Sequence, residues 1–195
     1  MKLRHTTVLL ALAVSVAPLS GAPCEFGFLS PTSSVANAKA GDVTTGDFNN
    51  DGFIDVVVVN RTLAQISILL GTAGGGLGAP TAIGTPGENS QDDILAGDFN
   101  NDNKLDLLLT ISTNTVPNFP YLKLLLGNGN GTFGAVPYTG QQLVNPPPSR
   151  LVLGDFNEDG LMDAATTSGS GFSSMQNIGG KLAQKAQYLT PSGVT

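Results

Sequence analysis

The sequence GDFNNDGFID, residues 46–55, is the strongest indication of the fold because it occurs three times. It returns as GDFNNDNKLD at 97–106 and as GDFNEDGLMD at 154–163, so the chain repeats about every 50 to 60 residues. Counted from the first Asp, positions 1, 5 and 9 of these loops hold nine of the fifteen acidic residues. Carboxylates this close together repel one another unless a cation neutralises them. The three loops are therefore candidate cation sites.

The spacing of oxygen-bearing residues within each loop predicts calcium. Side chains at positions 1, 3 and 5 converge when the backbone curls tightly, position 7 adds its carbonyl, and Asp at position 9 closes the shell. Hard oxygen donors without nitrogen or sulfur suit Ca²⁺, whereas Mg²⁺ prefers to keep its waters in a strict octahedron. We expect up to three Ca²⁺ ions. Their ligands would be Asp47, Asn49, Asp51, Phe53, Asp55, Asp98, Asn100, Asp102, Lys104, Asp106, Asp155, Asn157, Asp159, Leu161 and Asp163.

Position 6 of each loop is expected to have a positive φ, because the turn is sharp there. Gly52 and Gly160 adopt that conformation freely, and Asn103 is the non-glycine residue that tolerates it best. We therefore expect loop two to bind slightly more weakly than the others.

Two other interpretations of the loops are less consistent with the sequence. An EF-hand needs a bidentate Glu at position 12, where this chain has Val58, Leu109 and Thr166. Clusters of Asp, Asn and Gly also form plain turns between strands. Three copies in register, each with Asp at positions 1, 5 and 9 and Asn at position 3, favour calcium over plain turns.

The segments around the loops predict four short strands per repeat and no helix. Apolar and β-branched runs follow the first two loops, and each continues into a second apolar run and a Gly-rich turn. A short outer strand and a return strand complete the unit, and the third repeat is the most degraded. The predicted strands are 54–59, 65–70, 77–80 and 94–96, then 105–111, 121–126, 133–136 and 151–153.

The loops and their flanking strands resemble the FG-GAP/VCBS repeats of integrin-α-like β-propellers. Gly78-Ala79-Pro80 matches the motif that names the family, and Phe133-Gly134-Ala135 matches it in part. The resemblance covers residues 25–195, with repeats at about 41–90, 91–148 and 149–195. It implies an all-β fold with blades of four short antiparallel strands, in which the cation loop joins the first two strands and its residues bind Ca²⁺.

Three repeats are too few for a closed propeller, which has 4–8 blades. We therefore expect a partial propeller. A truncated chain is the favoured explanation, and the alternatives are self-association that completes a ring and an open stack of three blades.

The first 24 residues have the pattern of a secretory signal peptide. Lys2 and Arg4 precede the apolar run 6–17, and small residues follow at 18–24. This predicts a secreted protein, extracellular or periplasmic, and no other run is long and apolar enough to span a membrane. Removal of this segment takes away the one His and changes the formal charge from −6 to about −8. Histidine-dependent catalysis and His or Cys zinc sites are then excluded, and the acidic balance argues against nucleic acid as a partner.

The sequence favours a non-catalytic interaction or adhesion module, with Ca²⁺ in a structural role and an extracellular protein or glycan as partner. One alternative is a carbohydrate-binding propeller that uses Tyr121, Tyr138 or Tyr188. Another is an accessory domain of a longer exported enzyme. The adjacent acidic pair Asp92-Asp93 is interpreted as a solvated turn rather than a catalytic pair. Phe48, Phe99 and Phe156 share position 2 of the loops and are expected to fill the core.

Overall fold

The computed structural model describes residues 40–60, 65–84, 90–112, 121–135, 150–168 and 171–189. These residues form twelve strands and no helix, so the predicted all-β class is confirmed. Within these ranges, none of the structure is a helix with the length and apolarity of a membrane span. The predicted signal segment, residues 1–24, lies outside the described residues.

The twelve strands form three antiparallel sheets of four strands each, and the strands follow chain order across every sheet. The first sheet contains β1 (Ala40–Gly46), β2 (Asp55–Asn60), β3 (Gln65–Leu69) and β4 (Thr81–Gly84). The second contains β5 (Ser90–Gly97), β6 (Asp106–Ser112), β7 (Tyr121–Gly127) and β8 (Phe133–Ala135). The third contains β9 (Arg150–Gly154), β10 (Asp163–Ser168), β11 (Gly171–Asn177) and β12 (Leu182–Leu189).

Each Asp-rich loop joins the first two strands of its sheet. In all three sheets the Asp at position 9 pairs with the Gly that ends the preceding strand. This shared register defines equivalent positions in the three sheets. The sheets contact one another in chain order and do not close into a ring among the described residues, as in part of a propeller.

One predicted strand is misplaced. The outer strand of the first sheet was expected at 77–80 but forms at Thr81–Gly84. The Gly78 amide bonds to the Leu70 carbonyl, and Leu77 makes only an isolated bridge to Gly71. The Gly-rich turn is therefore longer than expected, and Pro80, which has no amide hydrogen, precedes the paired segment.

The third sheet is complete, although its sequence looked degraded. β10 is short in aliphatic residues but pairs with both neighbours over its length. Ala164 and Thr166 are buried, whereas Thr167 is exposed. Only one face of this strand is therefore buried, and an antiparallel strand of that kind needs apolar residues only at alternate positions.

The core consists of two apolar layers between successive sheets. Leu107 and Leu109 of β6 pack towards the first sheet, while Leu108 packs towards the third, so β6 is buried on both faces. Phe48 fills the first layer and Phe99 the second, as predicted. The expectation for Phe156 is wrong: its side chain is 54% exposed, because no described strand lies against it.

Candidate metal centres

Positions 1, 3 and 5 of the first loop are tied together by hydrogen bonds to backbone amides. The Asp47 carboxylate accepts from the amides of Asp51 (3.1 Å) and Gly52 (2.9 Å). The Asn49 side-chain oxygen also accepts from the Asp51 amide (3.2 Å). The Asp51 carboxylate in turn accepts from the Phe53 amide (2.9 Å). These bonds curl the loop and place the three oxygen-bearing side chains on its inner side.

The other two loops repeat this arrangement. In both loops, Asp at position 1 accepts hydrogen bonds from the amides of positions 5 and 6, and Asp at position 5 accepts one from the amide of position 7. Each donor–acceptor distance is within about 0.2 Å of the equivalent distance in the first loop. Asn at position 3 makes the same bond in each loop. The residues involved are Asp98, Asn100, Asp102, Asn103 and Lys104 in loop two, and Asp155, Asn157, Asp159, Gly160 and Leu161 in loop three.

The predicted positive φ at position 6 is confirmed in all three loops. It is 86° at Gly52, 62° at Asn103 and 85° at Gly160. The structure adds a second left-handed residue at position 4, which spacing alone did not indicate. Its φ lies between 57° and 60° in Asn50, Asn101 and Glu158. The Asn residues at two of these positions were the available signal, because Asn adopts this conformation more readily than most residues.

Position 9 connects each loop to its sheet. The Asp55 side chain is completely buried, and its two oxygens accept from the amides of Phe48 (2.9 Å) and Gly71 (2.7 Å). Asp106 and Asp163 are buried in the same way and make the equivalent pairs of bonds. This carboxylate therefore fixes the loop start to the end of the third strand, a role that the sequence did not reveal.

The donor set fits Ca²⁺ in its chemistry and in the shape of the turn. Positions 1, 3 and 5 supply hard oxygen atoms on a tightly curled backbone. A carboxylate has about four lone-pair sites, so an oxygen that accepts one amide bond can still bind a cation. Among the described residues, no group of three or more Asp, Glu, His or Cys side chains converges as a ready metal cluster. A cation in these loops would therefore need Asn and carbonyl oxygens as well as carboxylates.

A comparison with protein families matches residues 47–109 to the FG-GAP-like repeat. Over these residues the chain is similar to that repeat. The matched segment runs from Asp47 of loop one to Leu109, just after loop two, so the third loop lies outside it. No curated protein matches the chain significantly. The FG-GAP part of the resemblance is thus confirmed, whereas the VCBS part stays a prediction.

Loop two of the FG-GAP-like repeat differs from the other loops in charge. The Lys104 ammonium group lies 3.3 Å from an Asp102 carboxylate oxygen, so a cation already neutralises part of this loop. Burial raises the pKa of Asp106, and the charges of Asp102 and Asp98 raise it further, against two backbone hydrogen bonds that lower it. The carboxylates of this loop therefore repel one another, as their spacing predicts.

A second acidic cluster lies beside the loops, in the first strands of the sheets. Asp42 and Asp93 occupy equivalent irregular segments of β1 and β5, where the strand register shifts. The Asp42 carboxylate accepts from the Ile94 amide of the next sheet (3.0 Å), and the Asp93 carboxylate accepts from the Leu151 amide of the one after. The two carboxyl groups also hydrogen-bond to each other. This chain of contacts links successive sheets.

The interpretation of Asp93 as part of a solvated turn is wrong. Asp93 lies within β5 and is only 5% exposed. Burial raises its pKa to about 6, assisted by the hydrogen bond and the charge of Asp42. Burial alone would raise the pKa of Asp42 too, but hydrogen bonds from Asp93 and from backbone amides lower it overall. The side chain of Asp92 lies outside the described residues.

Proposed function

We propose that the protein is a secreted, calcium-binding FG-GAP-like repeat protein that acts as a non-catalytic interaction or adhesion module. The observation that carries this proposal is the threefold repetition of one loop geometry, with oxygen donors at the same positions and the same amide bonds. In this proposal up to three Ca²⁺ ions have a structural role: each ion neutralises the carboxylates of one loop and fixes the connection between two strands.

Repulsion between the loop carboxylates is the reason why a bound cation would stabilise the loops. Positions 1 and 5 place two carboxylates in one exposed turn, and in loop two burial raises the pKa of Asp106 and their charges raise it further. A bound divalent cation relieves this repulsion, so the folded loop gains stability when calcium is present. Calcium should stabilise loop two less than the other loops, because the Lys104 ammonium group already contacts the Asp102 carboxylate.

An interaction role agrees with the architecture. Stacked repeats with rigid loops present extended surfaces, which suits binding of an extracellular protein or glycan. A role as the accessory domain of a longer exported enzyme is compatible with the same architecture. We expect no catalytic activity. The two carboxyl groups of Asp42 and Asp93 contact each other directly, whereas glycosidases hold their pair about 5–9.5 Å apart to accommodate the sugar.

The carbohydrate-binding alternative has less support. Tyr121 packs against the layer between the first and second sheets, and Tyr138 lies outside the described residues. Tyr188 is exposed, but its ring stacks on Phe172 with the centroids 4.5 Å apart. That ring pair lies on a sheet face whose counterparts in the other two sheets are covered by protein. A glycan array without binding would remove this alternative.

Calcium titration by calorimetry and thermal unfolding with and without EGTA test the metal proposal. Extracellular calcium modules have Kd values of about 10⁻⁴–10⁻³ M, so about 1 mM Ca²⁺ contributes roughly 0.4–1.4 kcal/mol per site. We expect Asp159→Asn to lower the calcium stoichiometry by one.

The matched control is Glu158→Gln, which removes the same charge from a non-ligand position of the same loop. It should retain every site. An unfolding transition that is identical with and without calcium would overturn the metal proposal. Secretion is tested separately by locating the protein in cells and sequencing its mature N-terminus, and a retained residue 1 would contradict it.

A further inference from the structure

Among the described residues, the two outermost sheets each leave one apolar face uncovered, and the two faces are complementary. At each interface between successive sheets, one face of the earlier sheet packs against one face of the later sheet. We call the first of these the leading face of the earlier sheet and the second the trailing face of the later sheet. The second sheet buries both of its faces. The first sheet has an uncovered trailing face, and the third sheet has an uncovered leading face.

The leading face of the third sheet contains the same positions that are buried in the other sheets. Phe48 and Phe99 are 2% and 0% exposed, whereas Phe156, the equivalent residue, is 54% exposed. The strand register makes Phe172 equivalent to the buried residues Ile66 and Leu122. The uncovered apolar residues of this face are Val152, Phe156, Phe172 and Tyr188.

The trailing face of the first sheet is also exposed, at positions that are packed in the second sheet. In the second sheet, Ile94, Leu105 and Phe133 pack into the layer that also contains Phe48, and the Phe133 ring lies 5.7 Å from the Phe48 ring. By register and loop position their equivalents in the first sheet are Val43, Ile54 and Leu77, which are 56%, 62% and 47% exposed. The first sheet therefore displays the residue set against which a position 2 Phe packs elsewhere in this chain.

The charges at the two faces are also complementary. Asp42 and Asp93 occupy equivalent positions in the first and second sheets, and the position in the third sheet is Arg150. Within the chain, the Asp93 carboxyl group contacts that of Asp42, one sheet back. If the same stacking continued into a second copy, Arg150 would face Asp42 of that copy and form an ion pair.

We propose that the leading face of the third sheet binds the trailing face of the first sheet of a second copy of this chain. Two copies of the three described sheets would give six blades, within the 4–8 of closed propellers, whereas three copies would exceed that range. The contact is between two different faces, and such a contact forms a closed ring when its rotation closes. The predicted assembly is a head-to-tail dimer with two identical junctions. This inference deepens the proposed interaction role by naming its partner, and it does not depend on the calcium sites.

Analytical ultracentrifugation of the purified protein over about 1–100 µM tests this proposal. We expect a concentration-dependent dimer. Phe156→Asp damages the leading face and Ile54→Asp damages the trailing face, and each should weaken dimerisation about tenfold or more. Both residues are exposed, so circular dichroism should show unchanged folding. Lys185→Asp, at an exposed residue of β12, is the control and should dimerise like the wild type.

Mixing the two damaged variants gives the sharpest result. One junction of the mixed dimer joins the intact leading face of Ile54→Asp to the intact trailing face of Phe156→Asp. We therefore expect the mixture to form a one-to-one heterodimer at concentrations where each variant alone is monomeric.

Three results would overturn the proposal: a monomer at every concentration, a dimer that neither variant weakens, and a mixture without rescue. A monomer would mean that these two faces do not bind each other. Measurements in calcium and in EGTA separate the two proposals. A calcium-binding monomer leaves the proposed function intact, and a dimer that binds no calcium contradicts only the metal assignment.

Discussion

Replacement of Asp93 by Asn should remove a pH-dependent loss of stability. Asp93 is nearly buried in β5, and its pKa is raised to about 6 from an ordinary value of 3.8. The folded chain therefore holds a proton that the unfolded chain releases between about pH 4 and 6. Stability from this group is complete below the unfolded value and is lost as the pH rises through about 6. Asn is neutral at every pH and has almost the same shape.

The size of the effect follows from the two pKa values. The difference between about 6 and 3.8 corresponds to about 3 kcal/mol as an upper limit. The proton is shared with Asp42, and solvent and the nearby Arg150 reduce the cost of the charge. We expect Asp93→Asn to be about 1–2 kcal/mol more stable than the wild type at pH 7.5, with the difference becoming small only below the unfolded pKa of 3.8. The Asn oxygen can still accept from the Leu151 amide, and its NH₂ group can donate to Asp42.

Urea unfolding at several pH values, at one fixed calcium concentration, measures this difference. Glu158→Gln removes an exposed carboxylate and should keep the wild-type pH slope. The prediction is wrong if Asp93→Asn shows the wild-type slope between about pH 4 and 6, or if it is less stable than the wild type at pH 7.5.

Three further predictions concern the loops and the core. In urea unfolding at a concentration where the protein is monomeric, Phe99→Ala should lower the free energy of unfolding by about 3–5 kcal/mol because it empties a buried site, whereas Phe156→Ala should lower it by less than about 1 kcal/mol. Equal losses would contradict the account of the two layers. Asp106→Ala should lower the free energy of unfolding by about 2–5 kcal/mol even in EGTA, because two backbone amides lose their hydrogen-bond acceptor. A loss of stability seen only with calcium would mean that Asp106 acts through the metal alone. Lys104→Ala should tighten calcium binding to loop two up to about fivefold in calorimetry, because it removes the ammonium group that contacts the Asp102 carboxylate. Unchanged binding would mean that this ion pair does not compete with calcium.

The fold was predictable because its signals are local and repeated. The loop at 46–55 recurs twice, and β-branched and aliphatic runs such as 54–59 beside it indicate strands. The outer strand of the first sheet was less predictable: between Gly71 and Pro80 many residues suit a turn, and the strand start depends on pairing with β3. The exposure of Phe156 could not be read from the sequence, since it depends on which sheet lies next to it.

The acidic residues show a different limit of sequence reasoning. Local spacing identified positions 1, 3 and 5, whose contacts lie within a few residues of one another. The contacts of Asp93 lie in other sheets, at Asp42 and Leu151, so its burial depends on the stacking of sheets. The adjacent Asp92 in the sequence suggested a polar turn, and no local signal distinguished it from a strand that carries a buried carboxylate.

Position 9 has one role that is predicted and one that is observed. The spacing predicts that Asp55 is a metal ligand, whereas in the structure its two oxygens accept from the amides of Phe48 and Gly71. Phe48 also packs into the layer against the second sheet, and its carbonyl accepts from the Gly131 amide of that sheet (2.9 Å). A cation bound at position 9 would therefore act on a carboxylate that positions both a loop and an interface between sheets. If calcium binds as proposed, its stabilising effect should extend beyond the loop, and hydrogen exchange at the Phe48 and Gly71 amides should slow together when calcium is added. Slower exchange at the exposed loop amides alone would confine the ion to positions 1, 3 and 5.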